Sequence, residues 1–293
     1  MGFDVLSTIG NTPLVEVPLI EAPPGARFFA KLEFFNPTGS LKDRIAHFMV
    51  EKAESEGRLK AGQVLVEATS GNTGIALAAV GRMKGYSVTI AMPETMSMER
   101  RKTMAALGAE LVLTPGEAGC DGAMERAREL AQQPGYYLVG QFENRDNATA
   151  HYETTAVEIL AQMPELDTFV AGIGTGGTVT GVAKRLREQR PGVKVVGIEP
   201  FPGSRIQGMR CLDVWVPPIL DLSLLDERPR IRDEDAFQAA RDLARRHGLF
   251  VGMSSGAVMW EAQRQAQEGR TCIVGIFGDN GSKYLSTDLF DGQ

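Results

Sequence analysis

Asn36-Pro-Thr-Gly-Ser-Leu-Lys-Asp-Arg44 follows directly on a short apolar run over 28–32. The run reads as a strand, and Pro37 and Gly39 break the chain sharply after it. Ser40 suits a helix N-cap, and Leu41, Ile45, Phe48 and Met49 then recur at helical spacing. The stretch is therefore a strand, a tight loop and a helix, with Lys42 in the helix's first turn. The N-terminal end of a helix already carries partial positive charge, so it is a poor place for a merely solvated cation. It favours the uncharged, nucleophilic amine that Schiff-base chemistry needs. The competing reading is a solvated lysine beside Asp43, the ordinary state of a lysine.

Outward from this unit, strand-like and helix-like segments alternate. Strands over 63–67, 87–91, 110–113 and 136–139 are interleaved with helices over 72–84, 97–108 and 120–132. A second set has strands over 168–171, 193–198 and 272–277, with helices over 177–190, 233–247 and 255–268. Such alternation implies mostly parallel sheets covered by helices on both faces. The expected fold is two doubly wound α/β domains: a smaller, mobile one over 36–145 and a larger one made of 1–35 and 146–293. A length of 293 residues suits two cores better than one. Ligands in such folds lie at the carboxyl ends of the strands, here in a cleft between the domains.

The composition excludes several classes. A net charge of −6 and the lack of any basic stretch interleaved with aromatics argue against a nucleic-acid partner. No apolar run is long enough to span a bilayer, and Met1-Gly-Phe-Asp4 does not read as a signal peptide. Cys120, Cys211 and Cys272 are odd in number and far apart, as expected of reduced thiols in a cytoplasmic protein. His47, His151 and His247 are scattered at no metal-ligand spacing and read as surface or core residues.

Three loops carry candidate chemistry. Thr69-Ser-Gly-Asn-Thr-Gly74 joins a strand to a helix, where hydroxyls, an amide and backbone N–H groups suit a carboxylate. It reads equally as an ordinary N-cap with turn glycines. Gly172-Ile-Gly-Thr-Gly-Gly-Thr178 lets the backbone approach a phosphate closely. Gly172, Gly174 and Gly177 also satisfy the dinucleotide fingerprint, with Glu199 as its ribose-binding acid, so an NAD-dependent dehydrogenase is the rival. Against the rival, the Gly-Thr-Gly-Gly-Thr run suits one terminal phosphate monoester, and no His or Tyr stands in a dehydrogenase-like setting. Gly252-Met-Ser-Ser-Gly256 has the shape of a nucleophile elbow, but His247 is the last histidine and precedes both serines, so a neutral hydrogen-bonding serine is the better reading. Pyridoxal phosphate unites these features. It needs a Schiff-base lysine, a phosphate cup, a partner for its ring nitrogen and a place for the substrate carboxylate.

With these motifs in place, the chain resembles the cysteine synthases (O-acetylserine sulfhydrylases) of the tryptophan-synthase-like pyridoxal-phosphate fold. The resemblance extends from Ile9-Gly-Asn-Thr-Pro-Leu14 to Tyr284-Leu-Ser-Thr287, and Met92-Pro-Glu-Thr-Met-Ser-Met-Glu-Arg-Arg101 adds to it. It implies that Lys42 forms the Schiff base with the cofactor and serves as general base. It implies that Gly174, Thr175, Gly176, Gly177 and Thr178 hold the phosphate, that Asn72 bonds the ring hydroxyl and that Ser254 faces the ring nitrogen. Thr69, Ser70, Thr73 and Gln141 would bind the amino-acid carboxylate. The implied reaction is β-replacement through an α-aminoacrylate, making L-cysteine from O-acetyl-L-serine and sulfide, in a cytoplasmic homodimer. S-sulfocysteine from thiosulfate, cystathionine β-synthesis and O-phosphoserine as substrate stay open. The short chain resembles the B type, in which Arg210 and Asp279 fall near the sulfur-donor side. It departs from that type at Cys211, where a second arginine is common, at Gly278, where cysteine is common, and in the Gly-Thr-Gly-Gly-Thr loop.

Overall fold

The computed structural model describes residues 4–20 and 22–291. The N-terminal reading of Met1, Gly2 and Phe3 lies outside them. The strands are β1 (Leu14–Val17), β2 (Arg27–Leu32), β3 (Val64–Ala68), β4 (Ser87–Pro93), β5 (Glu110–Thr114), β6 (Tyr136–Leu138), β7 (Thr168–Gly172), β8 (Lys194–Pro200), β9 (Arg230–Ile231) and β10 (Cys272–Phe277). The helices are α1 (Lys42–Ser55), α2 (Asn72–Met83), α3 (Met98–Ala106), α4 (Gly119–Ala131), α5 (Asp146–Ala150), α6 (Ala156–Gln162), α7 (Gly177–Gln189), α8 (Asp233–His247) and α9 (Met253–Gln267). One π-helical turn, His151–Thr155, joins α5 to α6.

The chain forms two compact units. Of the described residues, one comprises 4–9 and Lys42–Asp146; the other comprises those of 10–41 and 147–291. The sequence reading drew its boundaries at 36 and 145. The segment 36–41 belongs with the second unit because that unit's residues hold it. Asn36 Nδ2 donates to the Glu33 carboxylate at 3.0 Å, the Leu41 N–H to the Gly278 carbonyl at 2.9 Å, and Ser40 bridges to Asp279. Helix α1 accordingly starts at Lys42, so Leu41 flanks it rather than the expected cap Ser40.

The first unit is a four-stranded parallel sheet in the order β5-β4-β3-β6. Its central strands are covered on both faces and so read as continuous apolar runs instead of alternating ones. Val64-Leu-Val-Glu-Ala68 contains a single polar residue, Glu67, and that residue is buried. Helix α2 lies on this sheet with everything from Thr73 to Gly81 buried.

The second unit is a six-stranded sheet, β1-β2-β10-β7-β8-β9, antiparallel only between β1 and β2. Its strand β10 is apolar throughout and β7 is so after Thr168, and Phe28 packs on Phe277 at 5.8 Å between ring centroids. An ionic cluster ties the start of this unit to its interior. Lys31 is fully buried, with Nζ 2.7 Å from Glu158 Oε2 and 2.6 Å from the Thr12 carbonyl.

Three elements went unread in the sequence. Strand β1 is short, and β9 has two residues. The helical run over 146–162 begins Asp-Asn-Ala-Thr-Ala-His-Tyr-Glu-Thr-Thr, with too few apolar residues to show a helical stripe. Its inward stripe is polar instead: Asn147, His151 and Thr155 follow at four-residue spacing, and all three are buried.

Candidate active site

The first unit supplies Lys42, the 69–74 loop and Gln141. Lys42 is half-buried at the first position of α1, with Asp43 and Arg44 beside it buried. The 69–74 loop follows β3 and opens α2. Gly71, at the α2 N-cap, has no side chain with which to cap the helix. Thr69 Oγ1 instead accepts the Gly71 N–H at 3.2 Å, a turn within the loop. The half-buried start of α2 thus lacks a side-chain cap, as an anion-binding helix N-terminus would. Thr73 and Gln141, both buried, are brought together, the Thr73 hydroxyl donating to Gln141 Oε1 at 2.6 Å.

Glu67 fixes this arrangement from beneath. Its Oε1 accepts the Ala68 N–H and its Oε2 the Gln141 N–H, each at 3.0 Å. Burial raises its carboxyl to about 7, against the opposing pull of the N–H groups of Gln141, Ala68 and Gly140, while the nearby charge of Glu143 adds to the rise. A second support comes from Arg100, whose guanidinium donates to the Ser70 carbonyl at 3.3 Å. The sequence reading quoted Arg100 within a motif and gave Glu67 no role. The signal for Glu67 was one acid at the end of an otherwise apolar strand.

The second unit supplies the 172–178 loop, Ser254 and Arg210. Gly176 adopts φ +84° and sits at the N-cap of α7, where a Cβ would lie 2.6 Å from that of Leu220. Gly174 and Gly177 have a further reason to be glycines besides the expected approach of a phosphate. A Cβ at Gly174 would overlap the Gly208 carbonyl, and one at Gly177 would overlap the Asn147 amide. Close packing of protein on protein, and not only ligand approach, demands them.

Thr175 and Thr178 turn their hydroxyls towards partners behind the loop: Asn147 Nδ2 lies 3.2 Å from Thr175 Oγ1, and His151 Nε2 3.2 Å from Thr178 Oγ1. In the sequence His151 read only as a surface or core residue, and Asn147 was given no role. Ser254 is half-buried in the first turn of α9, whereas Ser255 is fully buried, so the first serine of the pair is the accessible one. A Cβ at Gly278 would lie 3.6 Å from Ser254 Oγ, so the glycine leaves room beside that hydroxyl.

Arg210 is half-buried, stacks over the Trp215 ring at 5.0 Å and is anchored by its N–H to the Ile173 carbonyl at 2.8 Å. Cys211 is buried, which makes it a core position rather than a vacant place for a second cation. Glu199, the supposed ribose-binding acid, is fully buried. It is held by Arg228 at 3.0 Å and by the Leu212 N–H at 2.8 Å, which removes the dehydrogenase fingerprint. Among the described residues no cluster of His, Cys, Asp and Glu could hold a metal ion, and no helix is long and apolar enough to cross a membrane.

The family described as pyridoxal-phosphate dependent enzyme matches residues 5–277 of this chain. Cysteine synthase B of Escherichia coli strain K12 is 46% identical over 286 residues, covering 97% of this chain and 94% of that protein. The crystal structure of cysteine synthase from Entamoeba histolytica superposes with a TM-score of 0.94 at 39% identity, over 100% of this chain and 92% of the other. This chain belongs to the pyridoxal-phosphate-dependent enzymes, within their cysteine synthase family. An O-ureido-L-serine synthase is similar too, with a TM-score of 0.95 and 42% identity over 100% of this chain and 96% of its own.

The residues present fit the cofactor of this family. The 174–178 loop offers backbone N–H groups and two hydroxyls on small residues, and no carboxylate. Thr175 Oγ1 accepts from both Asn147 Nδ2 and the Gly177 N–H, so the hydroxyl has its proton left to give to an anion.

Proposed function

We propose that the protein makes L-cysteine from O-acetyl-L-serine and sulfide by replacement at the β-carbon. The observation that carries the reading is the near-full-length likeness to cysteine synthase B together with a neutral serine, Ser254, opening α9. When bound, pyridoxal phosphate supplies an electron sink that acidifies the substrate's α-C–H bond.

The chain's own residues do the rest. Lys42 would hold the cofactor through its Nζ and, once freed by substrate, would take the substrate's α-proton. Thr69, Ser70, Thr73 and Gln141 hold the substrate carboxylate, with the Thr73–Gln141 bond fixing two of these side chains before substrate arrives. Asn72 would bond the ring hydroxyl, and Gly174 to Thr178 would hold the phosphate. Ser254 accompanies the ring nitrogen without the charge an aspartate would bring. That weakens the electron sink and favours loss of the β-acetate over competing reactions. Arg210, braced on Trp215, stands for recognition of an anionic sulfur donor.

We read the enzyme as a cytoplasmic homodimer, which size-exclusion chromatography with light scattering tests. The neighbouring O-ureido-L-serine synthase makes a different serine derivative, so the second substrate has to be assayed directly.

The experiment is release of L-cysteine from O-acetyl-L-serine and sulfide by the wild type and by Lys42→Ala. The variant should fold and lose turnover by several orders of magnitude, because base and nucleophile vanish together. Borohydride reduction followed by peptide mapping should label Lys42. A label on another lysine sinks the reading.

A further inference from the structure

We propose that Asn147 and His151 are positioning residues for the cofactor phosphate: from one face of the 146–155 helical run they hold the Thr175 and Thr178 hydroxyls so that both give their protons to the anion. The proposal rests on the reading of 174–178 as the phosphate cup.

A threonine hydroxyl has one proton and two lone pairs. Thr175 Oγ1 accepts from Asn147 Nδ2 at 3.2 Å and from the Gly177 N–H at 3.3 Å. Both lone pairs are occupied, so the hydroxyl serves outward only as a donor. Thr178 is handled by the ring of His151. Its Nδ1 faces Thr155 Oγ1 at 2.9 Å and its Nε2 faces Thr178 Oγ1 at 3.2 Å. Either hydroxyl can donate to the ring; where Thr155 donates to Nδ1, the neutral ring carries its proton on Nε2 and donates it to Thr178. The Thr178 proton is then free for the anion as well.

A second observation comes from the other side of the contact. Helix α7 has glycines at 177 and 181, one turn apart, where the helical run approaches it. A Cβ at Gly177 would overlap the Asn147 amide. One at Gly181 would overlap the Ala148 carbonyl and lie 2.9 Å from both His151 Cβ and the Tyr152 backbone nitrogen. Gly177 thus sits opposite the Asn147 side chain, and Gly181 lets the backbone of the run approach α7 closely at His151. An apolar stripe would pack the same helices without the cost of burying polar groups, so the polar stripe calls for a purpose. The π turn falls at His151–Thr155 and widens the run where the ring enters, as such turns often do at functional sites.

The test measures equilibrium dissociation of pyridoxal 5'-phosphate, and of pyridoxal, which lacks the phosphate. Thr175→Val should weaken the phosphorylated cofactor about 10- to 100-fold, as for a lost hydrogen bond to a charged group. Asn147→Leu should weaken it about tenfold. The double variant should be no weaker than Thr175→Val alone, and pyridoxal should bind all three as it binds wild type. Losses that multiply in the double variant, no loss in Asn147→Leu, or equal losses for pyridoxal would overturn the proposal. If Thr175→Val itself binds the phosphorylated cofactor normally, the cup assignment fails and takes the proposal with it. Nitrogen-15 NMR of the wild-type holoenzyme needs no variant. It should find the His151 proton on Nε2, and a proton on Nδ1 would overturn the His151 half.

Discussion

Glu67 should make the folded protein less stable as pH rises towards neutrality, and Glu67→Gln should abolish that slope. The carboxyl is 2% exposed, and burial lifts it from an ordinary 4.5 to about 7. A carboxyl raised on folding contributes stability that is full below about 4.5 and is lost as pH climbs through about 7, because the folded state binds the proton more tightly. At about 1.4 kcal/mol per pH unit the gap amounts to about 3 kcal/mol, of which about 2–3 kcal/mol falls between pH 5 and pH 8. The variant keeps one acceptor for the N–H groups of Ala68 and Gln141 and presents an amide to the other, a penalty that does not vary with pH. The informative quantity is therefore the pH dependence of the difference and not its offset. Melting temperatures of both holoenzymes would be measured in steps from pH 5 to pH 8, where all other titrations cancel in the difference. The variant should gain on the wild type by roughly 5 °C or more across that window. Parallel curves would show that Glu67 ionises at its ordinary value, and the argument from its burial would be wrong.

Gly177→Leu should fold but lose the cofactor on gel filtration, since its side chain must displace Asn147 from the cup; a full complement of bound cofactor would refute this. Lys31→Met should lower stability by about 3 kcal/mol, because Glu158 would stay behind without its cation; an unchanged urea midpoint would refute that. Arg210→Ala should raise the apparent KM for thiosulfate far more than for sulfide, whose attack needs no cation. Steady-state kinetics with both donors check it, and equal losses would mean that Arg210 serves only to stack on Trp215.

The sequence by itself determined the alternation of strands and helices, and with it the parallel sheets. Apolar runs such as 272–277 and the amphipathic 233–247 are local patterns that need no partner to be recognised, and the structure reproduces both spans. It also marked the loops at which chemistry is expected, because glycine, serine, threonine and a helix-initial lysine carry their meaning in their order. Tertiary structure decided what lies behind those loops. His151 read only as a surface or core histidine and Asn147 went unread, since a buried polar stripe looks like a solvated one until its partners, Thr175 and Thr178, are known. Glu67 looked like one acid ending a strand, and its raised carboxyl exists only because the fold buries it, which outweighs the opposing pull of N–H groups such as that of Gln141, 74 residues away. Glu199 shows the converse: a fingerprint satisfied in one dimension was dissolved by Arg228 and Leu212, which the chain brings to it only on folding. Local pattern follows from backbone and side-chain geometry within a few residues. Burial, hydrogen-bond partners and the ionisation they set are properties of contacts between distant segments, and those the packed protein alone creates.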